Sequence, residues 1–155
     1  MVNGFASRQE ATTETLTGRF EPRSGAKALV TSDRAVLLVR ERHSDGTPFW
    51  TLPGGGVCDH EAPTAGLRRE LAEELGCRAR IDDPVSTFWY AHDSLAASVS
   101  VYTVFDCDLL TEPVPNPREG VFEAQWVAPG ELPPATLPQV RYLCQGRVGA
   151  APADD

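Results

Sequence analysis

The sequence predicts an α/β protein, with a mixed sheet packed between helices. Three observations predict it. Residues 63–75 carry one strongly periodic helix, with Leu67, Leu71 and Leu75 recurring every four residues. The run Ala35-Val36-Leu37-Leu38-Val39 is unbroken and apolar, as in a strand buried on both faces. The order strand, strand, loop, helix, three strands, helix then suits a sheet with helices against it.

Taken in order, residues 1–25 mix Thr, Glu, Arg and Gly without apolar periodicity and read as a mobile arm. Residues 26–145 form the expected domain, and 146–155 a frayed tail. Residues 26–31 and 34–42 read as strands joined through the turn Thr31-Ser32-Asp33. Phe49-Trp50-Thr51-Leu52 is a short extended piece stopped by Pro53-Gly54-Gly55-Gly56, which reads as a loop. Pro63 suits a first helical turn, Gly76 a C-terminal cap, and Ala62 is a poor N-cap. Residues 85–91 and 98–109 read as strands. The alternation of the second predicts one face of Val99, Val101, Thr103, Phe105, Cys107 and Leu109, opposite Ser98, Ser100, Asp106 and Asp108. A proline-rich loop at 111–117, a strand at 122–127 and a helix at 138–145 complete the chain.

The chain has 155 residues, 14 Lys and Arg against 22 Asp and Glu, and a net charge of −8. No basic stripe of the kind that displaces counterions from nucleic acid is visible. Lys27 is the only lysine. A phosphate compound would therefore need local arginines or a metal ion to reverse the bulk field. No apolar run is long enough to cross a bilayer, and residues 1–10 lack the layout of a secretory signal, so the expectation is a cytoplasmic protein with no membrane partner. Cys58, Cys77, Cys107 and Cys144 form no C-x-x-C pair and read as free thiols.

Residues 55–77 carry the chemistry. They read Gly55, five residues, Glu61, seven residues, Arg69-Glu70-Leu71, one residue, Glu73-Glu74, one residue, Gly76-Cys77. Glu70, Glu73 and Glu74 stand at i, i+3 and i+4, within about 100° of arc, so three carboxylates are expected on one helix face. Clustered carboxylates repel one another and call for a cation. Hard oxygen donors with no His or Cys pattern favour Mg²⁺ or Mn²⁺ over zinc. The glycines before the helix let backbone approach a ligand closely. Gly66, one turn before Glu70, leaves room beside the carboxylates.

This stretch resembles the Nudix hydrolase signature G-x5-E-x7-R-E-U-x-E-E-x-G-U, where U is a bulky aliphatic residue. The seven fixed positions match, a coincidence on the order of one in 10⁸ per starting position. Only Cys77 departs from the final U. Trp50-Thr51-Leu52-Pro53-Gly54 and Trp126-Val127 also look family-like.

The resemblance implies a Nudix-type α/β/α sandwich and a Mg²⁺-dependent pyrophosphohydrolase, with Mn²⁺ able to substitute. Its substrate would be a small nucleoside diphosphate derivative: a nucleoside triphosphate, a nucleotide sugar or another small nucleotide. It implies Glu70, Glu73 and Glu74 as catalytic and metal-binding residues, with the Gly54 carbonyl as a further ligand. Glu61, Arg69 and Gly55 become supports that hold the loop against the helix, and Glu61 is also within reach of a metal. The family varies in its general base; Glu70 is the choice here, with Glu123 or Glu119 as outside candidates.

Weaker features stay open. Arg40 and Arg42 suit either a phosphate clamp or surface salt bridges. Glu123 suits either a base edge or the chemistry. Phe88 and Tyr90 suit base stacking, with core packing the favoured alternative, and Trp50 and Trp126 read as core. His43, His60 and His92 form no metal or triad spacing, although His60 lies inside the signature. At His92-Asp93-Ser94-Leu95, where family subgroups carry distinguishing Pro or Tyr marks, neither stands. The chain is expected to be a monomer or homodimer. The rival readings are a nucleotide-sensing module that does not hydrolyse, and an accessory domain whose box holds a structural metal.

Overall fold

The computed structural model describes residues 22–91 and 98–147. Its elements are β1 (Arg23–Ser32), β2 (Ala35–Arg42), β3 (Pro48–Thr51), β4 (Gly54–Gly56), α1 (Pro63–Leu75), β5 (Ala79–Ala91), β6 (Val99–Leu109), β7 (Glu123–Val127) and α2 (Pro138–Arg147). Single 3₁₀ turns at Pro117–Glu119 and Pro129–Glu131 flank β7.

The strands run β3-β2-β1-β6-β5, with β4 added to β1 and β7 to β2. β1 and β6 are parallel, from Arg23 opposite Ser100 to Val30 opposite Cys107, and the other pairings are antiparallel. The sheet is therefore mixed, as the sequence predicts. The β1–β2 turn centres on Asp33 and Arg34, one residue later than expected. Both have left-handed backbones, φ 50° and 67°, the combination that matches the twist of a two-residue hairpin.

Both faces of the central strands are covered. Leu67, Leu71 and Leu75 of α1 pack on Ala26, Ala28, Val30, Leu37 and Val39. Val140, Leu143 and Cys144 of α2 belong to the opposite cluster, with Leu29, Val36, Leu38, Phe49 and Val104. The leucine stripe is fully buried, and truncating any one of the three would cost about 2–5 kcal/mol. Gly76 closes α1 with φ 58°, and its N–H and that of Cys77 take the Ala72 and Leu71 carbonyls.

Several expectations need correction. Gly54–Gly56 is not a loop but a short strand, with Gly56, Gly55 and Gly54 opposite Gly25, Ala26 and Lys27. Gly54 has φ 130°, and a Cβ there would lie 2.2 Å from the Ala26 carbonyl oxygen, so only glycine fits the pairing. β5 starts at Ala79, well before 85; register shifts on either side of Pro84 absorb the missing N–H. On β6 the buried residues switch faces along the strand. Ser100, Tyr102 and Val104 are buried in its first half, whereas Phe105 and Cys107 face α1 further on. Trp126 is 43% exposed rather than core, and Trp50 is half-buried against the α2-side cluster. Arg23, Ser24 and Gly25, read as arm, belong to β1, and Gly146 and Arg147, read as tail, belong to α2. The rest of the arm and tail, and His92 to Leu95, lie outside the described residues.

Candidate active site

β4 lies between β1 and α1, so the sheet edge brings a glycine backbone against the acidic face of the helix. Gly55 makes the approach close. A Cβ there would lie 2.7 Å from Glu70 Oε2, so a side chain would push the carboxylate away.

Glu74 turns inward. It is 6% exposed, and its Oε1 accepts the Gly54 N–H at 3.0 Å. Burial pushes its carboxyl up to about 8, although Lys27 and the Gly54 N–H pull the other way. The carbonyl of the same residue, Gly54, accepts Lys27 Nζ at 3.0 Å. Lys27 is itself buried, 4.0 Å from Glu41 Oε2. Burial pulls its ammonium down, but Glu41, Tyr102, Glu74 and Glu70 outweigh this and raise it above its ordinary value. Burial also raises Glu41, against the opposing pull of Lys27.

Arg69 organises the outer half. Its Nε and Nη2 clasp the two Glu61 oxygens at 2.9 and 3.0 Å, and Nη2 also donates to the Gly56 carbonyl at 3.0 Å. Nη1 reaches Glu70 Oε1 at 3.1 Å and Glu73 Oε2 at 3.3 Å. The Arg69 hydrogen bonds, with the Cys58 N–H, hold the Glu61 carboxyl down to about 2. Gly66 leaves room for this clasp rather than for the other carboxylates: a Cβ there would lie 2.9 Å from Glu61 Oε1. Asn116 locks the far end of α1, donating from Nδ2 to the Glu73 carbonyl and from its backbone N–H to that of Glu74.

The three helix carboxylates are therefore divided. Glu70 and Glu73 share Arg69, while Glu74 faces the buried side. Among the described residues, no three acidic, His or Cys side chains already converge as a metal cage. The donor set nevertheless fits a hard divalent ion. Glu41, Glu70 and Glu74 act together on Lys27, all donors are oxygens, and the Gly54 carbonyl is aimed at a cation already.

A cavity of about 190 Å³ opens beside this cluster, and Lys27 and Glu41 line both. Phe49, Phe88, Tyr90 and Tyr102 supply its aromatic wall, and Arg42 and His43 also line it. Phe88 is both core and lining, packed on Tyr102 at 5.4 Å. His43 stacks on Phe49 at 4.1 Å, and its Nδ1 lies 3.0 Å from the Tyr90 hydroxyl. Thr51 also lines the cavity; it is buried, and its hydroxyl has no hydrogen-bond partner among the described residues.

Two expected substrate contacts lie elsewhere. Arg40 and Glu123 face each other across β2 and β7, pair at 3.3 Å and do not line the cavity. The register that joins the strands consumes both charges. Arg42 does line it, its guanidinium 4.3 Å above the Phe122 ring. Glu119 and His60 are exposed. The sequence reading missed Lys27, Glu41 and Thr51. A lone lysine inside the apolar run 26–30 is a signal for the first. Strand alternation, which puts Glu41 in the row of Leu37 and Val39 facing α1, is a signal for the second. A threonine in a strand gives none.

Comparisons with known proteins bear on the family and the fold. The NUDIX domain family model matches residues 21–144. The nucleoside triphosphatase NudI of Escherichia coli O139:H28 is 31% identical over 114 residues, covering 67% of this chain and 80% of its own. The MutT NUDIX hydrolase of Burkholderia pseudomallei superposes with a TM-score of 0.71 at 24% identity, over 80% of this chain and 96% of that one. The E. coli ORF135 protein does so with 0.69 at 20% identity, over 88% and 98%. These structures share the α/β sandwich. The chain belongs to the Nudix hydrolase family, enzymes that act on pyrophosphate bonds.

Proposed function

We propose that this chain is a Mg²⁺-dependent pyrophosphohydrolase of small nucleotides, with nucleoside triphosphates as the leading substrate class and Mn²⁺ able to replace Mg²⁺. The observation that carries the reading is one shared wall: Lys27 and Glu41 belong both to the oxygen-donor cluster around Gly54 and to the aromatic cavity. A ligand with an anionic chain and a flat ring spans those two surroundings. The likeness to NudI, a nucleoside triphosphatase, supports the triphosphate.

In this reading the Gly54 carbonyl, Glu70, Glu73 and Glu74 hold the ion. When bound, it neutralises phosphate oxygens and lowers the pKa of the attacking water. Arg69, anchored on Glu61 and the Gly56 carbonyl, sets the distance between loop and helix, which fixes where the water and the phosphorus meet. Glu70 takes the water proton as the new P–O bond forms and the bond to the leaving phosphate breaks. Phe88, Tyr90 and Tyr102 hold the base by stacking, and the Thr51 hydroxyl, without a partner among the described residues, reads its polar edge. Arg42, on the cavity lining, meets phosphate. The enzyme works in the cytoplasm on free nucleotides; its acidity opposes nucleic acid.

The test is a phosphate and pyrophosphate release screen over nucleoside triphosphates, nucleotide sugars and dinucleotides, with Mg²⁺ and Mn²⁺. Turnover of a triphosphate is the expected result. Binding of a nucleotide without product under either ion would overturn hydrolysis in favour of sensing.

A further inference from the structure

We infer that Lys27 is a resident cation that guards the metal site: it holds the Gly54 carbonyl when no divalent ion is present and moves to the substrate's phosphates when one binds. The inference rests on the metal site proposed above. Its own basis is separate. Lys27 Nζ is 3.0 Å from the Gly54 oxygen, 4.0 Å from Glu41 and 4.8 Å from the centre of the Tyr102 ring, in a buried setting. It lies on β1 directly opposite Gly54, so backbone pairing fixes the reach of its stem.

The consequence is electrostatic. An ammonium and a divalent ion cannot share one carbonyl oxygen without strong repulsion, because burial removes the water that would screen them. Something must move, and the flexible four-carbon stem is the part that can. Lys27 already lines the neighbouring cavity, so its Nζ has somewhere to go without leaving the protein. Arg42 lines the same cavity, so the two cations would share an anionic phosphate chain bound there. Until then Lys27 keeps Gly54, and through the Gly54 N–H also Glu74, in the arrangement that a metal would use. The exchange links ion and substrate. The ion must displace Lys27, and the displaced ammonium exchanges the Gly54 carbonyl for phosphate oxygens when substrate arrives.

The experiment uses Lys27→Met and Lys27→Gln in the full chain. Thermal melts titrated with Mg²⁺ at pH 8.5, without nucleotide, give the concentration for half of the metal-induced shift. Steady-state rates at saturating Mg²⁺ give KM for a nucleoside triphosphate. We expect the half-saturating Mg²⁺ concentration to fall at least about threefold in both variants, while KM rises at least about tenfold. The opposite directions are the signature, since a merely structural lysine would lower the melting temperature and leave the Mg²⁺ midpoint alone. Should the methionine variant not fold, the glutamine variant keeps a donor for the Gly54 carbonyl without the charge and reads the same two quantities. A wild type that melts identically with and without Mg²⁺ would overturn the metal site itself. A wild type that responds, beside variants with an unchanged or raised Mg²⁺ midpoint or an unchanged KM, would overturn the role of Lys27 and leave the metal site standing.

Discussion

Replacing Glu74 with Gln should make the metal-free protein more stable and the enzyme nearly inactive. Glu74 is 6% exposed, and burial raises its carboxyl from an ordinary value near 4.5 to about 8. In the unfolded chain the proton leaves near 4.5, while the folded chain keeps it to about 8. Between those values the folded state binds more protons, so stability falls as pH rises through that window and levels off above it. Over the roughly 2.5 pH units from 4.5 to 7, at about 1.36 kcal/mol each, the penalty is on the order of 3 kcal/mol. Gln cannot ionise, yet it keeps an oxygen for the Gly54 N–H. For a chain of this size, about 3 kcal/mol corresponds to about 6–12 °C in melting temperature. The gain should appear in chelator at pH 7 and shrink towards pH 4.5. The rate should fall at least about 100-fold, which is about 2.7 kcal/mol of transition-state stabilisation. Melts in chelator from pH 4.5 to 8.5, with initial rates in Mg²⁺, read both effects. A variant that melts no higher than wild type at pH 7, keeps the same pH slope and still turns over would refute the reasoning.

Excess chelator should abolish turnover, and Mg²⁺ or Mn²⁺ should restore it; full activity after rigorous metal removal would sink the mechanism. Arg69→Ala strips Glu61 of its clasp and frees the Gly56 carbonyl, so melting temperature and rate should both drop, the rate at least about tenfold. Because Glu61 is held down to about 2, its pairing stabilises fully above the ordinary 4.5 and is lost as pH falls towards 2; the variant should lack that acid-side loss. Wild-type rate and melting temperature would leave Arg69 a surface charge. Thr51→Val removes a hydroxyl that has no partner among the described residues, so the melting temperature should hold or rise. KM should still rise about fivefold, the equivalent of about 1 kcal/mol for one lost hydrogen bond; an unchanged KM would remove Thr51 from the substrate pocket.

The sequence makes α1 legible to the residue because its signals are local. Pro63 starts it, Gly76 ends it, and the leucine stripe states which face goes inward. The strands are less legible where their structure depends on distant partners. Three glycines carry no periodicity, and only the pairing with Gly25 to Lys27 makes 54–56 a strand. On β6 both faces are apolar at Tyr102, Val104, Phe105 and Cys107, so alternation cannot tell which is covered. The answer comes from α1 on one side of the sheet and α2 on the other.

The site divides along the same line. Glu61, Arg69 and the three helix carboxylates are visible because the helix spaces them, and their separate surroundings are not. Helical geometry puts Glu70, Glu73 and Glu74 within one arc, but the fold gives Glu74 a buried backbone donor and leaves the other two to Arg69. Side chains that are equivalent by spacing thus become unequal by burial, and burial is a tertiary quantity. Lys27 carries the point furthest. Its position among alanines, leucine and valine makes it look like a flaw in a core strand, since an unpaired buried ammonium would be costly. β4 supplies the carbonyl, β2 the Glu41 carboxylate and α1 two more acidic neighbours, so the cost is offset only once all four elements are in place. The lysine and the acidic face of α1 therefore account for each other. Either alone would strain the fold, and together they leave a site lined by oxygens that suits a cation.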